Sequence, residues 1–151
     1  MKKLSALFAA ISLLALIAGC GQREDHGSAE HHHVAPHGGT LVPLGEHEFN
    51  LEFVLDAATG TLNAYVLDAH ADDFVRLPVA SFQVTAKRAD REETLDFKAA
   101  ANTATGETAG NTALFTAQAD WLKTGGNFEG VLKELTIRGK SYASIAFKFP
   151  K

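Results

Sequence analysis

Residues 46–56 read EHEFNLEFVLD, and their alternation decides the fold. His47, Phe49, Leu51, Phe53 and Leu55 fall on one face; Glu46, Glu48, Asn50 and Glu52 fall on the other. A period of two with one apolar side is the pattern of a half-buried strand. AATG at 57–60 follows as a turn, and TLNAYVLDAH at 61–70 alternates again through Leu62, Ala64 and Val66. The two runs predict a hairpin. Pairing Asp56 with Thr61 sets Leu55 against Leu62, Phe53 against Ala64, Leu51 against Val66 and Phe49 against Asp68. This register gathers the apolar residues of both strands on one face. Continued outward, it sets His47 opposite His70.

The rest of the chain reads the same way. Pro43 in TLVPLG predicts an edge strand, because proline cannot donate to a ladder. VASFQVTAKRA and ETLDFKAA form a second hairpin around Asp90-Arg91. ANTATGETAGN is a polar loop, TALFTAQADW a strand, and LKTGGN a turn. FEGVLKELTIRGKSYASIAFKFP ends the chain as a third hairpin. Its apolar pattern favours a three-residue turn, Gly139–Ser141, with Leu135 opposite Ile145 and Ile137 opposite Ala143. No long helical period is present. The expected class is all-β, an antiparallel β-sandwich of about 7–8 short strands. Tyr65 and Trp121 are expected to pack in or border it.

The beginning of the chain is of another kind. Met1-Lys2-Lys3 is basic and Leu4–Ala18 is almost wholly apolar, which is the pattern of a secretory signal. Ile17-Ala18-Gly19-Cys20 resembles the bacterial lipoprotein signal, and Cys20 is the chain's single cysteine. That resemblance implies cleavage after residue 19 and lipid on Cys20, which would anchor the protein durably in a membrane. Gly21 in the next position favours the outer membrane over the inner. Residues 20–36 hold Val34 as their only sizeable apolar side chain, so they are expected to be a disordered, His-rich tether. The β-domain is expected to span 37–151. With its cysteine acylated, the mature chain would have no disulfide and no thiol chemistry.

Charge narrows the partners. Fourteen Lys and Arg stand against eighteen Asp and Glu, and an acidic surface repels phosphate backbones while attracting cations. Nucleic acid is therefore not expected as a partner. An enzyme is not expected either. There is no Gly-x-Ser-x-Gly, no His-Glu-x-x-His and no cysteine nucleophile. The adjacent pairs Asp72-Asp73 and Glu92-Glu93 would point to opposite faces of a strand.

The histidines carry the functional signal. Five of the seven lie between His31 and His47. Neutral imidazole is a ligand for Zn(II), Cu(II) and Ni(II). His31, His32 and His33, with His26 and Glu30 nearby, suit weak and exchangeable capture by a tether. His37 precedes Gly38-Gly39, where the backbone can turn sharply. His47 and His70, if directly opposed, could share one ion, with Asp68, Asp72 or Glu46 adding an oxygen. The absence of methionine from the mature chain disfavours Cu(I).

Ala35–Leu77 resembles a segment of the periplasmic adaptor proteins of heavy-metal efflux pumps and of small lipoproteins related to them. The shared pattern is PHGG, a short strand, LG, an acidic–apolar strand, D-x-x-T-G-x-L and Y-V-L-D; RGKSY at Arg138–Tyr142 adds to it. The resemblance implies an extracytoplasmic β-domain handling Zn(II)- or Cu(II)-type ions, with His37 as the matching histidine. The adaptors' helical hairpin and barrel are missing here, so only the metal-handling module is matched. Two functions compete: an envelope-anchored metal buffer, sensor or chaperone linked to metal efflux, and a docking module for an envelope protein in which the histidines are incidental.

Overall fold

The computed structural model describes residues 33–89 and 91–150. The signal segment, Cys20, His26, Glu30, His31 and His32 lie outside the described residues.

The hairpin that opens the reading forms with the expected register. β2 (Phe49–Asp56) pairs with β3 (Thr61–Asp68) from Phe49↔Asp68 to Asp56↔Thr61, including Leu51↔Val66, Phe53↔Ala64 and Leu55↔Leu62. Asp56 shapes the connection. Its carboxylate accepts from the Ala58 N–H and the Thr59 hydroxyl, and its carbonyl accepts from Gly60. Gly60, at φ 71°, supplies the left-handed residue that the turn needs.

Among the described residues there are six more strands, β1 (Thr40–Leu44), β4 (Ser81–Arg88), β5 (Arg91–Ala99), β6 (Leu114–Gln118), β7 (Phe128–Ile137) and β8 (Lys140–Phe149), and two short 3-10 turns at Thr103–Thr105 and Asp120–Thr124. The class is all-β and antiparallel, as expected. All eight strands belong to a single sheet in the order β1-β2-β3-β6-β5-β4-β7-β8. The sheet curls until its two end strands, β1 and β8, come alongside each other, so it is nearly closed. Pro43 lies on β1, at the edge, where its missing N–H leaves the paired side intact. Among the described residues no helix is long and apolar enough to cross a membrane.

Inside the curl, aromatic rings join strands distant in sequence. Phe53 of β2 stacks on Phe147 of β8 (4.9 Å between centroids, 8° between planes) and meets Phe97 of β5 edge-on at 5.5 Å. Phe97 stacks on Phe82 of β4 at 4.9 Å, and Phe82 meets Phe115 of β6. One contact series thus spans the interior. Such pairs contribute about 0.5–1.5 kcal/mol each beyond the area they bury.

The third hairpin departs from expectation. Its turn is Arg138-Gly139, with Ile137↔Lys140 and Leu135↔Tyr142 paired, and not Gly139–Ser141. Both turn residues have positive φ, 50° and 83°, the geometry of a two-residue turn that matches strand twist. The sequence misleads because the buried side changes within each strand. On β7 it runs Phe128, Gly130, Leu132 and then Leu135, Ile137; on β8 it passes from Tyr142 to Ile145, with Ser144 at φ 57°. Alternation extended from Ile145–Phe147 back to the turn therefore arrives out of step. The second hairpin closes one residue earlier than expected, with Arg88↔Arg91 as its last pair.

Phe53 is fully buried at the centre of the ring series. Phe53→Ala is expected to lower unfolding free energy by about 3–5 kcal/mol in urea titration, without changing the antiparallel β signature in circular dichroism.

Candidate functional site

Asn50 and Glu52 share the face of β2 that alternation assigns to solvent, and Glu48 stands in the turn just before the strand. Two of the three are buried: Asn50 is 2% exposed and Glu52 is 0% exposed. This overturns the solvated reading of that face. It is covered by residues 33–39 on one side and by the loop after β3 on the other. Each of the three polar residues holds a segment that carries histidine.

Glu52 holds the first. Its Oε1 accepts the backbone N–H groups of His37 (2.8 Å) and Gly39 (2.9 Å), and its Oε2 lies 2.7 Å from His37 Nδ1. A carboxylate only accepts, so this contact is a hydrogen bond when Nδ1 is the donor. The His37 ring also stacks on Tyr65, the cross-strand neighbour of Glu52, at 3.9 Å and 10°. The PHGG motif is the shape this seat requires. Gly38 turns the chain at φ 69°, donating to the Ala35 carbonyl. Gly39 has no room for a Cβ, which would press on the Phe53 carbonyl and stand 2.7 Å from Val54 Cγ2. Burial, followed by the charge of Glu52, raises the pKa of Tyr65 above its ordinary value.

Asn50 holds the second segment. Its side-chain amide donates to the carbonyls of Asp68 (2.9 Å) and Ala69 (3.2 Å), the entrance to the loop that carries His70. Asp68 organises that loop by accepting from the N–H groups of Asp72 and Asp73 at Oδ1. Desolvation opposes ionisation of Asp68. Those backbone donors and neighbouring His70 outweigh it and hold the carboxyl below its ordinary value. Asp68 is thus tied into its own loop through one oxygen.

Glu48 holds the third, the turn between β1 and β2 that contains His47. Lys140 Nζ donates to both carboxylate oxygens of Glu48 (2.8 and 2.6 Å), and the Tyr142 hydroxyl donates to Oε2 at 2.5 Å. Arg138 lies over the Phe49 ring at 5.6 Å. RGKSY is therefore a clasp on the EHEF turn, joining the two end strands of the sheet. Hydrogen bonds from Lys140 and then Tyr142 hold the Glu48 carboxyl below its ordinary value.

The histidines arrive in a different arrangement from the expected pair. The β2–β3 ladder ends at Phe49↔Asp68, so His47 and His70 lie beyond it in turns and are not ladder partners. His47 has φ 61° and is exposed, off the apolar face on which alternation sets it. His33 stands between them, its ring centroid 6.2 Å from His47 and 5.8 Å from His70. Two imidazoles bound to one tetrahedral ion, with metal–nitrogen bonds of 2.0–2.1 Å, have centroids roughly 5 Å apart. Among the described residues no group of three or more His, Cys, Asp or Glu is already set to hold an ion. The three rings belong to a short strap and two exposed turns. His37 is separate from this group: its Nδ1 is engaged by Glu52, and Tyr65 and Phe74 are its ring neighbours.

Sequence reasoning missed Glu52, Asn50 and Tyr65. The available signal was PHGG itself, since a turn rich in backbone N–H groups needs an acceptor, and Glu52 lies in the apolar run LEFVL. No protein-family model, curated protein or solved structure matches the chain.

Burial, then the hydrogen bond to Glu48, raises the Tyr142 pKa from 10.0 to about 12. A raised folded-state pKa stabilises the fold below the unfolded value and loses that contribution as pH climbs through the folded value. Stability is expected to fall between pH 10.0 and about 12 in the parent, and this component should vanish in Tyr142→Phe. Tyrosinate absorbance followed alongside chemical unfolding checks it.

Proposed function

We propose that the protein is an envelope-anchored metal-binding lipoprotein, a buffer, sensor or chaperone for Zn(II)- or Cu(II)-type ions. The observation that carries the reading is the convergence of His33, His47 and His70 from three separate segments, with His33 within 5.8 and 6.2 Å of the other two. Three neutral imidazoles and an open fourth position suit a borderline divalent ion. Exposed turns suit exchange better than permanent storage. His31 and His32, next in the chain, would add exchangeable contacts. Lipid on Cys20 would keep the site at the membrane. The resemblance of Ala35–Leu77 to efflux-adaptor segments supports a role beside heavy-metal export, and the role is non-enzymatic.

His37 has a different part. Its Nδ1 is oriented by a carboxylate, as the ring of a metal ligand often is, but among the described residues it belongs to no group of three or more His, Cys, Asp or Glu that could hold an ion. We assign it to the seat of the strap.

A second reading, a docking module for an envelope protein, is favoured by the seam between the end strands. Thr40–Pro43 and Ile145–Lys148 line a groove of about 300 Å3 there. An extended partner strand could pair along such an edge.

Calorimetric titration of the protein with Zn(II) at pH 7.5 separates the readings. The parent is expected to bind one ion on the β-domain. His33→Ala, or His47→Ala with His70→Ala, should weaken binding at least tenfold, while His31→Ala with His32→Ala should change it little. Affinity should fall in acid as imidazole protonates. Binding lost only with His31 and His32 would make the chain a tether scavenger. No binding in the parent would leave the docking reading.

A further inference from the structure

Residues 33–39 form a strap laid over the outer face of β2 and β3. One end presents His33 to His47 and His70. The other end is seated on Glu52 by two backbone N–H groups and one imidazole. Between them lies a single turn, closed by the Gly38 N–H to the Ala35 carbonyl. Only three residues, Val34, Ala35 and Pro36, separate His33 from His37, so the location of His33 depends on whether His37 is seated. Glu52 itself is wholly buried and touches none of the three clustered histidines.

We infer that Glu52 is a positioning residue for the ion site: by seating the strap it delivers His33 between His47 and His70, and an ion held by those three rings in turn locks the strap onto Glu52. This rests on the ion-binding reading and adds a regulated element to it. The physical basis is linkage. If the strap is seated for only a fraction of the time, apparent affinity is reduced by that fraction. Whatever the seat contributes to ion affinity, the ion must return to the seat in equal measure. The ion therefore controls whether residues 33–39 are seated, giving a sensor its output. Val34, on the strap at 85% exposure, and Phe74, beside His37 at 55%, are the apolar surface whose presentation would change with it.

The test is amide hydrogen exchange of the full chain with and without Zn(II), read at Gly39. That N–H donates to Glu52 and takes no part in holding the ion. Saturating Zn(II) should slow Gly39 exchange at least tenfold in the parent, and His33→Ala should abolish the slowing. Glu52→Gln keeps an oxygen for the two backbone donors but sets an amide N–H against the imidazole. It should weaken Zn(II) binding about tenfold, within the usual range of coupling between sites, while β4–β5 amides keep their protection. Zn(II) binding with unchanged Gly39 exchange would overturn the coupling and leave the ion site standing. So would unaltered affinity in Glu52→Gln, or slowing that survives in His33→Ala. Failure of the parent to bind Zn(II) would overturn both. Should Glu52→Gln not fold, the comparison of parent with His33→Ala still decides.

Discussion

A carboxylate buried to 0% exposure on the outside of a sheet is the constraint around which this end of the molecule is arranged. Removing such a group from water costs several kcal/mol unless its oxygens are satisfied. Glu52 has no Lys or Arg partner among its described contacts. Instead it draws three N–H groups from the strap, and they determine what the strap must be. Gly39 must lack a side chain, Gly38 must turn, and His37 must present Nδ1. Tyr65 supplies the flat wall on which the imidazole rests. A motif that reads as a ligand followed by two flexible residues is, physically, the lid of a buried acid.

The same logic recurs along the strand. Asn50 and Glu52 are spaced by two on β2, so they project to one side, and Glu48 stands in the turn that enters the strand. Each grips a different segment: the β1–β2 turn through the Lys140–Tyr142 clasp, the loop after β3 through two carbonyls, and the strap. Each segment carries one histidine of the group. Turns and loops alone would pay a large ordering entropy to bring three rings together. Asn50 and Glu52 on a rigid strand, with Glu48 clasped at its entry, reduce that cost, which is the usual advantage of building on regular structure.

How much of this was legible in the sequence depends on the kind of signal. The β2–β3 register was legible to the residue because one uninterrupted alternation spans both strands and a wrong register would expose Leu51 and Phe53. The edge position of Pro43 followed from a missing N–H. The β7–β8 register was not legible, because the buried side changes near Lys133 and Ser144, and period-two reasoning cannot see a change of side. Glu52 and Asn50 were placed on the correct face but taken as solvated, since alternation reports which side a residue is on and not what later covers it. The pairing of His47 with His70 extended a ladder beyond its last rung. His33, counted as tether, proved to stand between them. Composition could not have shown that, because the contact depends on the seat four residues away.

The seat of the strap depends on Glu52 accepting a hydrogen bond from His37 Nδ1. Nitrogen-15 NMR of the imidazole ring in the metal-free protein at pH 7.5 tests that most directly. The expected result is a proton on Nδ1, shifted by its short contact with Glu52 and slow to exchange, and lost from this position in Glu52→Gln. A neutral His37 with its proton on Nε2, indifferent to Glu52→Gln, would contradict it, and the strap would then be held by backbone contacts alone.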